Sequence, residues 1–195
     1  MPDLILASGS PRRKEIIARM GFDFEVVPTD IDESVHAGEK PTAYVQRMAL
    51  SKARAAAVHY PQVPVLGADT AVILGETIFG KPKDRADAKA MLLQLSGKTH
   101  QVMTAVTVIC GKVERSILEC TAVTFAPLSA DLVDIYVASG ECDDKSGSYA
   151  LQGIGAMLIE RVSGSVSCVV GLPSCQTRLL LQSFGLKPRT VSADA

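Results

Sequence analysis

The chain has 195 residues and a net charge of −1, with 47% hydrophobic and 21% charged residues. This composition is typical of a globular protein with its own hydrophobic core, and it excludes an extensively disordered chain. Because the chain has no basic excess, no Trp and only 5% aromatic residues, it is not expected to bind polymeric nucleic acid, which requires a basic surface or aromatic stacking platforms.

The first half of the chain predicts alternating strands and helices. Ser10 is expected to cap the first helix, with Pro11 at the first helical position and Gly21 at its end. Asp84 is expected to cap a later helix that Gly97 terminates. The predicted elements are a strand at 4–7, a helix from 11 to 20, a strand at 24–27, a helix at 41–59, strands at 63–74 and 77–79, and a helix from 85 to 95.

The second half predicts a long β-hairpin, two helices and one more strand. Gly111 is expected at the hairpin turn and Ser129 at the N-cap of the next helix. The predicted elements are strands at 101–110 and 113–125, a helix from 130 to 138, a Gly/Ser-rich loop at 139–155, a strand at 156–162, and a last helix that opens at 171–173 and ends near 184. This alternation predicts the α/β class, and the hairpins exclude a purely parallel sheet.

The length predicts a single domain over residues 1–186 with a flexible tail at 187–195. The five cysteines contain no C-x-x-C pair, and the first residues lack the basic start of a signal peptide. These features favour free thiols and a cytoplasmic location. No apolar run reaches the roughly 18 residues of a membrane span, so no membrane partner is expected.

A basic loop follows the first strand. Ser8, Ser10, Arg12, Arg13 and Lys14 place hydroxyls and three cations at a helix N-terminus, where unpaired N–H groups and the helix dipole favour anions. The dipole contributes only about 0.3–1 kcal/mol, so guanidinium–phosphate bonds of about 1.5–3 kcal/mol each would dominate binding. The loop therefore predicts a site for a small phosphorylated ligand, or alternatively a capped surface helix with a solvated basic turn.

Asp69 is the most informative single residue of the sequence. It lies in the apolar stretch PVLGADTAVIL. A carboxylate there must be paired, bind a metal or line a cleft, because burying a lone charge costs on the order of several kcal/mol. The neighbouring Gly67 leaves room for close approach to the backbone. The alternative is a structural ion pair with a Lys or Arg.

Other charged residues are ambiguous when taken singly. Lys52 lies on the apolar stripe of the helix at 41–59, where a lysine either extends to solvent or points into a cleft that Lys81 could join. Asp32 and Glu33 offer oxygen ligands of the kind that Mg²⁺ or Mn²⁺ prefers, although acidic loops are common. Neither pattern decides the function by itself.

Taken together, these stretches resemble the Maf family of nucleotide pyrophosphatases. The matching segments are LILASGSPRRKEI, GADTAVIL, GKPKD, SGKTHQVMTAV, DKSGSYALQG and VVGLP, in that order from the start of the chain to its last helix. The resemblance implies a fold of the Maf and ITPase type, in which a mixed sheet with flanking helices forms two lobes around a deep cleft. It also implies a homodimer.

The resemblance further implies a role for individual residues. Asp69 corresponds to the general base and Glu33 to the metal ligand, with Mg²⁺ or Mn²⁺ as the cofactor. Arg12, Thr70 and Gln152 look like the residues of the branch that acts on dTTP and UTP. The residues implied in phosphate binding are Ser8, Ser10, Arg12, Arg13, Lys52 and Lys81.

The implied activity is hydrolysis of dTTP and UTP, or of modified pyrimidine nucleotides, to the monophosphate and pyrophosphate. This would be a house-cleaning hydrolase with a possible link to arrest of cell division. One alternative is a house-cleaning pyrophosphatase for purine nucleotides of the ITP or XTP type, which a comparison of purine and pyrimidine turnover would separate. Another is a regulator of septation that binds nucleotides without hydrolysing them.

Overall fold

The computed structural model describes residues 2–189. Of the predicted tail at 187–195, residues 190–195 therefore lie outside the described residues. In chain order the elements are β1 (Leu4–Ala7), α1 (Pro11–Arg19), β2 (Phe24–Val26), α2 (Pro41–Ala57), β3 (Val65–Leu74), β4 (Thr77–Phe79), α3 (Arg85–Leu95), β5 (Thr99–Cys110), β6 (Val113–Phe125), α4 (Ala130–Ala138), β7 (Ile159–Ser163), α5 (Val166–Val170) and α6 (Ser174–Gln182). Two 3₁₀ turns, Ser146–Ser148 and Ile154–Leu158, lie between α4 and β7.

The strands of the described residues form one mixed sheet of seven strands. Their order is β2-β1-β3-β5-β6-β7, with β4 beside β3. β1 pairs in parallel with β2 and β3, whereas the pairs β3–β4 and β6–β7 are antiparallel. β5 and β6 are neighbours joined at Gly111, whose φ of 58° suits a glycine. The predicted α/β class with a mixed sheet and helices is confirmed.

The predicted starts of α1, α3 and α4 are confirmed by hydrogen bonds at their N-termini. The side chains of Ser10, Asp84 and Ser129 each accept a hydrogen bond from the backbone N–H three residues further on, which satisfies one of the unpaired donors of the first turn. Pro11 begins α1, and Gly21, with a φ of 75°, follows its end. Among the described residues no helix is both long and apolar enough to cross a membrane.

The region after α4 differs from the prediction. The first half of the predicted strand at 156–162 is wrong, because Ile154–Leu158 form a 3₁₀ turn and β7 begins at Ile159. A short apolar run does not distinguish a strand from a tight helical turn. The periodicity also does not predict the five-residue helix α5, and α6 ends at Gln182 rather than near 184.

The chain divides into two compact units. The first comprises the described residues of Met1–Asp69, Thr104–Glu119 and Gly171–Ala195. In this unit β1 and the first half of β3, up to Asp69, are buried on both faces, because alternate side chains enter separate cores. One core contains Leu4, Leu6, Ile17, Leu66, Ala68, Leu180 and Leu181, and the other contains Ile5, Ala7, Ala56 and Val65. The single domain over 1–186, with lobes around a cleft, stays a prediction.

The second unit, Thr70–Met103 and Cys120–Val170, has a core of its own. In this core the rings of His100, Phe125 and Tyr149 pack edge to face, with centroids 4.9–5.4 Å apart. Nε2 of His100 shares a 2.8 Å hydrogen bond with the hydroxyl of Tyr149. Burial lowers the pKa of His100 to about 4, so the imidazole is neutral at pH 7.

Lowering the pH from 7 to 5 is expected to reduce the free energy of unfolding by about 2 kcal/mol through His100 alone. Its folded pKa of about 4 lies below the ordinary 6.5, so the unfolded chain binds more protons between these values. Stability that is present above pH 6.5 is therefore lost as the pH falls toward 4. Urea unfolding at pH 7, 6 and 5 measures this slope. The pH dependence of the unfolding free energy should be mostly lost in His100→Gln and kept in the control His59→Gln, because His59 is exposed. An unchanged pH dependence in His100→Gln would contradict the lowered pKa of His100.

Candidate functional site

Strand β3 carries Asp69 on the face that packs against helix α2. Because side chains alternate between the faces of a strand, Val65, Gly67 and Asp69 share one face, and Val65 packs there against α2. A Cβ at Gly67 would lie 2.4 Å from both the carbonyl oxygen of Ala49 and the backbone nitrogen of Ala53. Only a glycine lets the α2 backbone come this close, and the contact lies next to Asp69.

Lys52 lies on the buried stripe of α2 and forms the centre of the site. Its Nζ lies 2.8 Å from Oδ1 of Asp69 and 2.7 Å from Oε1 of Glu33. The side chains of Lys52 and Asp69 are 10% and 11% exposed, whereas that of Glu33 is 52% exposed. The sequence leaves open whether Lys52 extends to solvent and whether Asp69 is paired. The structure pairs them with each other and places one ammonium between two carboxylates.

Arg13 holds the loop between β1 and α1. Its Nη1 donates to Oγ of Ser8 at 3.2 Å, and its Nε donates to the carbonyl oxygen of Gly171 at 2.9 Å. Oγ of Ser8 also accepts a hydrogen bond from the Ser10 N–H at 3.2 Å. Ser8 and Arg13 are buried, so this guanidinium is fixed beside the start of α1 and is not part of a solvated basic turn.

Arg13 and the two carboxylates also interact electrostatically. Burial lowers the pKa of Arg13, the charges of Asp69 and Glu33 act in the opposite direction, and the charge of Arg12 adds to the lowering. The guanidinium stays charged at neutral pH. The following residues all belong to the first unit, and we call them the charged cluster: Ser8, Arg12, Arg13, Glu33, Lys52 and Asp69.

Three residues for which the sequence predicts no role hold the loop that carries Glu33. The Tyr44 hydroxyl donates to the carbonyl oxygen of Glu33 at 3.1 Å, and Nη2 of Arg47 donates to the carbonyl oxygen of Ser34 at 2.9 Å. Arg47 also binds both carboxylate oxygens of Glu39 at 2.6 Å, which lowers the pKa of Glu39 to about 2. The signal that could have revealed them is the i, i+3 spacing of Tyr44 and Arg47 on α2, just after Glu39.

Asp32 and Glu33 are neighbours in this loop but have different partners. The Ser34 N–H donates to Oδ1 of Asp32 at 2.9 Å, and this bond lowers the pKa of Asp32. Burial, followed by the charges of Asp69 and Glu33, raises the pKa of Tyr44 to about 12, so its hydroxyl stays protonated and donates. Asp32 is thus engaged in a local turn, whereas Glu33 reaches Lys52.

Three predicted site residues belong to the second unit. Thr70 follows Asp69 in β3 and is half-buried, Lys81 is exposed after β4, and Gln152 is exposed in the turn before Ile154–Leu158. Their roles in phosphate binding and in substrate selection stay predictions.

Replacing Gly67 by alanine is expected to lower the free energy of unfolding by about 3 kcal/mol, the upper part of the range for overpacked cores. The added Cβ would meet backbone atoms of Ala49 and Ala53 at 2.4 Å, and backbone atoms cannot rotate away as a side chain can. Urea unfolding measures the loss. The matched control is Gly80→Ala, whose Cβ would meet no atom of the described residues within 4 Å apart from its chain neighbours. Equal stability of the two variants would contradict the close approach of α2 and β3.

Comparisons with known proteins cover nearly the whole chain. A family model described as Maf-like protein matches residues 3–184. The chain is 46% identical over 182 residues to the dTTP/UTP pyrophosphatase of Vibrio parahaemolyticus, covering 93% of this chain and 96% of that protein. It is 48% identical over 183 residues to the dTTP/UTP pyrophosphatase of Myxococcus xanthus, covering 94% and 93%. The solved structure of the Staphylococcus aureus Ham1 protein has a TM-score of 0.52 at 14% identity, covering 93% of this chain and 96% of that chain, which is a similarity of fold alone.

Proposed function

The chain belongs to the family of Maf-like proteins, and from this membership we propose that it hydrolyses dTTP and UTP to the monophosphate and pyrophosphate. The observation that carries the proposal is the pairing of Lys52 with Asp69 and Glu33 in the same unit as the buried Arg13. This arrangement joins a candidate base, a candidate metal ligand and a phosphate-binding cation. Relatives with the name dTTP/UTP pyrophosphatase, at 46% and 48% identity, support the choice of substrate.

The triphosphate is bound, in this proposal, by the N-terminal end of α1 and the cations around it. The guanidinium groups of Arg12 and Arg13 bind phosphate oxygens through charge-assisted hydrogen bonds of about 1.5–3 kcal/mol each. The fixed position of Arg13 lowers the entropic cost of binding, because its rotamer is already held by Ser8 and Gly171. The other proposed phosphate-binding residues are Ser8, Ser10, Lys52 and Lys81.

A divalent cation, Mg²⁺ or Mn²⁺, fits the charged cluster only together with the substrate. No group of three or more His, Cys, Asp and Glu side chains among the described residues could hold a metal by itself. Mg²⁺ is commonly held by one or two carboxylates plus substrate phosphates, and the half-exposed carboxylate of Glu33 is the proposed protein ligand. When bound, the cation offsets the negative charge of the leaving pyrophosphate.

Asp69 acts as the general base of the proposed reaction. Its carboxylate takes a proton from a water molecule, and the water oxygen forms the new bond to the α-phosphorus. The bond from that phosphorus to the oxygen of the β-phosphate breaks, and pyrophosphate leaves. The water must lie within about 3 Å of the carboxylate. Lys52 holds Oδ1 of Asp69 at 2.8 Å, which fixes the orientation of the base.

The family resemblance assigns selection of the nucleobase of the substrate to Arg12, Thr70 and Gln152. The Gln152 amide offers a donor and an acceptor, as the O4 and N3–H edge of thymine and uracil requires. Cytosine presents a donor and an acceptor in the opposite order at these positions. An amide held in one orientation would therefore favour dTTP and UTP over CTP.

Turnover of dTTP, UTP, CTP, GTP and ITP, with and without Mg²⁺ and with the products resolved, tests the proposal. We expect metal-dependent release of dTMP, UMP and pyrophosphate. Release of orthophosphate and a diphosphate would contradict attack at the α-phosphorus. A preference for GTP or ITP would favour the purine pyrophosphatase, and tight binding without turnover would favour the nucleotide-sensing regulator.

We also propose, on the family resemblance alone, that the protein is a cytoplasmic homodimer. Light scattering of the purified chain measures the oligomeric state. A monomeric mass at micromolar concentration would contradict the dimer.

A further inference from the structure

The turn that carries Gln152 is held by one carboxylate, that of Glu141. Its Oε1 accepts a hydrogen bond from the Ile154 N–H at 2.8 Å. Its Oε2 accepts one from the Gly155 N–H at 2.7 Å and one from the Tyr136 hydroxyl at 3.0 Å. All of these residues belong to the second unit. A side chain from just beyond α4 thus binds the backbone N–H groups two and three residues after Gln152.

Tyr136 holds the other side of the same turn. Its hydroxyl oxygen accepts a hydrogen bond from the Ala150 N–H at 3.2 Å while the hydroxyl donates to Glu141. Burial and the bond to Glu141 raise the pKa of Tyr136, so the hydroxyl stays protonated at neutral pH. Gln152 lies midway between Ala150 and Ile154. Both sides of its turn are therefore held by a single pair, Glu141 and Tyr136.

Two glycines allow this pair to reach the backbone. A Cβ at Gly153 would lie 1.6 Å from Oε1 of Glu141, and a Cβ at Gly155 would lie 2.9 Å from the Tyr136 hydroxyl. The turn is thus packed directly against the pair, while the Gln152 side chain itself is exposed. A fixed backbone under an accessible amide is the arrangement that a recognition residue needs, because its supporting contacts set its direction.

We propose that Glu141 is a positioning residue for base recognition, which fixes turn 150–155 so that the Gln152 amide meets the pyrimidine edge in one orientation. The proposal rests on the proposed function through the role of Gln152. All three donors bound by the Glu141 carboxylate belong to the turn or to Tyr136, so its proposed effect on the ligand passes through Gln152. Fixing the turn matters because an amide that changes direction presents its donor and acceptor in the wrong order and loses discrimination.

Kinetics of Glu141→Gln test the proposal. The new amide replaces one acceptor oxygen by an NH₂ group, which cannot accept from a backbone N–H. We expect KM for dTTP and UTP to rise about tenfold, kcat to change by less than about threefold, and the kcat/KM preference for dTTP over CTP to fall about tenfold. The matched control is Glu160→Gln, at an exposed position of β7, which should keep all three values.

Two further measurements keep the proposal falsifiable if Glu141→Gln folds poorly. Tyr136→Phe keeps the buried ring but removes the bonds to Glu141 and Ala150, and should shift KM and selectivity in the same direction. In the wild-type protein, the Ile154 and Gly155 amides should exchange their hydrogens slowly with solvent, and rapid exchange would overturn the proposal. Wild-type selectivity and KM in folded Glu141→Gln would also overturn it. A wild-type enzyme without dTTP or UTP turnover would instead refute the proposed function.

Discussion

Asp69→Asn is expected to lower kcat for dTTP hydrolysis by about 10²–10⁴-fold, the usual contribution of a general base. The asparagine oxygen can still accept a hydrogen bond from Lys52, so the 2.8 Å contact and the local structure are retained. The amide cannot take a proton from water, so the chemical step alone is lost. KM should stay the same or fall, because one negative charge near the triphosphate is removed. Initial rates across a range of dTTP concentrations give both constants.

The control for Asp69→Asn is the same substitution at Asp131, an exposed residue of α4. Asp131→Asn should keep wild-type kcat and KM. The melting temperature of both variants separates a catalytic loss from unfolding, because a lost base leaves folded but inactive protein. Full activity in Asp69→Asn would remove Asp69 from the mechanism, and a rise in KM at unchanged kcat would assign it to binding instead.

The sequence predicted the parts of the site that depend on local rules. A hydroxyl, a proline and two arginines after a short apolar strand predicted the capped start of α1, and Ser10 and Pro11 occupy those positions. Asp69 on an apolar strand is expected to be paired, to bind a metal or to line a cleft, because a lone buried charge is costly. Lys52 on an apolar stripe is expected either to extend to solvent or to point into a cleft. The structure decides between these alternatives with one contact, since the two side chains pair with each other.

The sequence could not predict which side chains meet across the fold. The contact of Lys52 with Asp69 depends on Gly67, where the missing side chain lets the α2 backbone approach β3. Glu33 joins them from a loop whose position is set by Tyr44 and Arg47. Such contacts follow from tertiary packing, whereas hydrophobic periodicity reports only which face of each element is buried.

The 3₁₀ turn after α4 also could not be predicted from the hydrophobic pattern of the sequence. The apolar residues at 156–162 predict one strand, but Ile154–Leu158 form a 3₁₀ helix whose first N–H groups are bound by Glu141. This carboxylate lies 13 residues away from Ile154 in the chain. A side chain that satisfies backbone donors at that distance has no periodic signature, so the turn and its anchor become visible only in the structure.

Lys52→Met is expected to lower the free energy of unfolding by about 3 kcal/mol in the absence of divalent cations, the lower end of the range for breaking a buried ion pair. The methionine fills a similar volume but leaves Asp69 and Glu33 without the ammonium that lies between them. Hydrolysis should also be lost, because Oδ1 of Asp69 is no longer held. Urea unfolding in EDTA measures the destabilisation. Adding millimolar Mg²⁺ should recover part of it in this variant, since a cation that takes the place of the missing ammonium between the two carboxylates stabilises the folded state by mass action.

The matched control is Lys89→Met, because Lys89 forms an ion pair with Asp134 in which the two side chains are 38% and 55% exposed. An exposed pair contributes about 0–1 kcal/mol, so this variant should lose little stability and should not respond to Mg²⁺. Equal destabilisation of the two variants would mean that the carboxylates of the charged cluster do not depend on Lys52. A large loss in Lys52→Met that Mg²⁺ leaves unchanged would keep the ion pair but would mean that Mg²⁺ does not take the place of the ammonium when the substrate is absent.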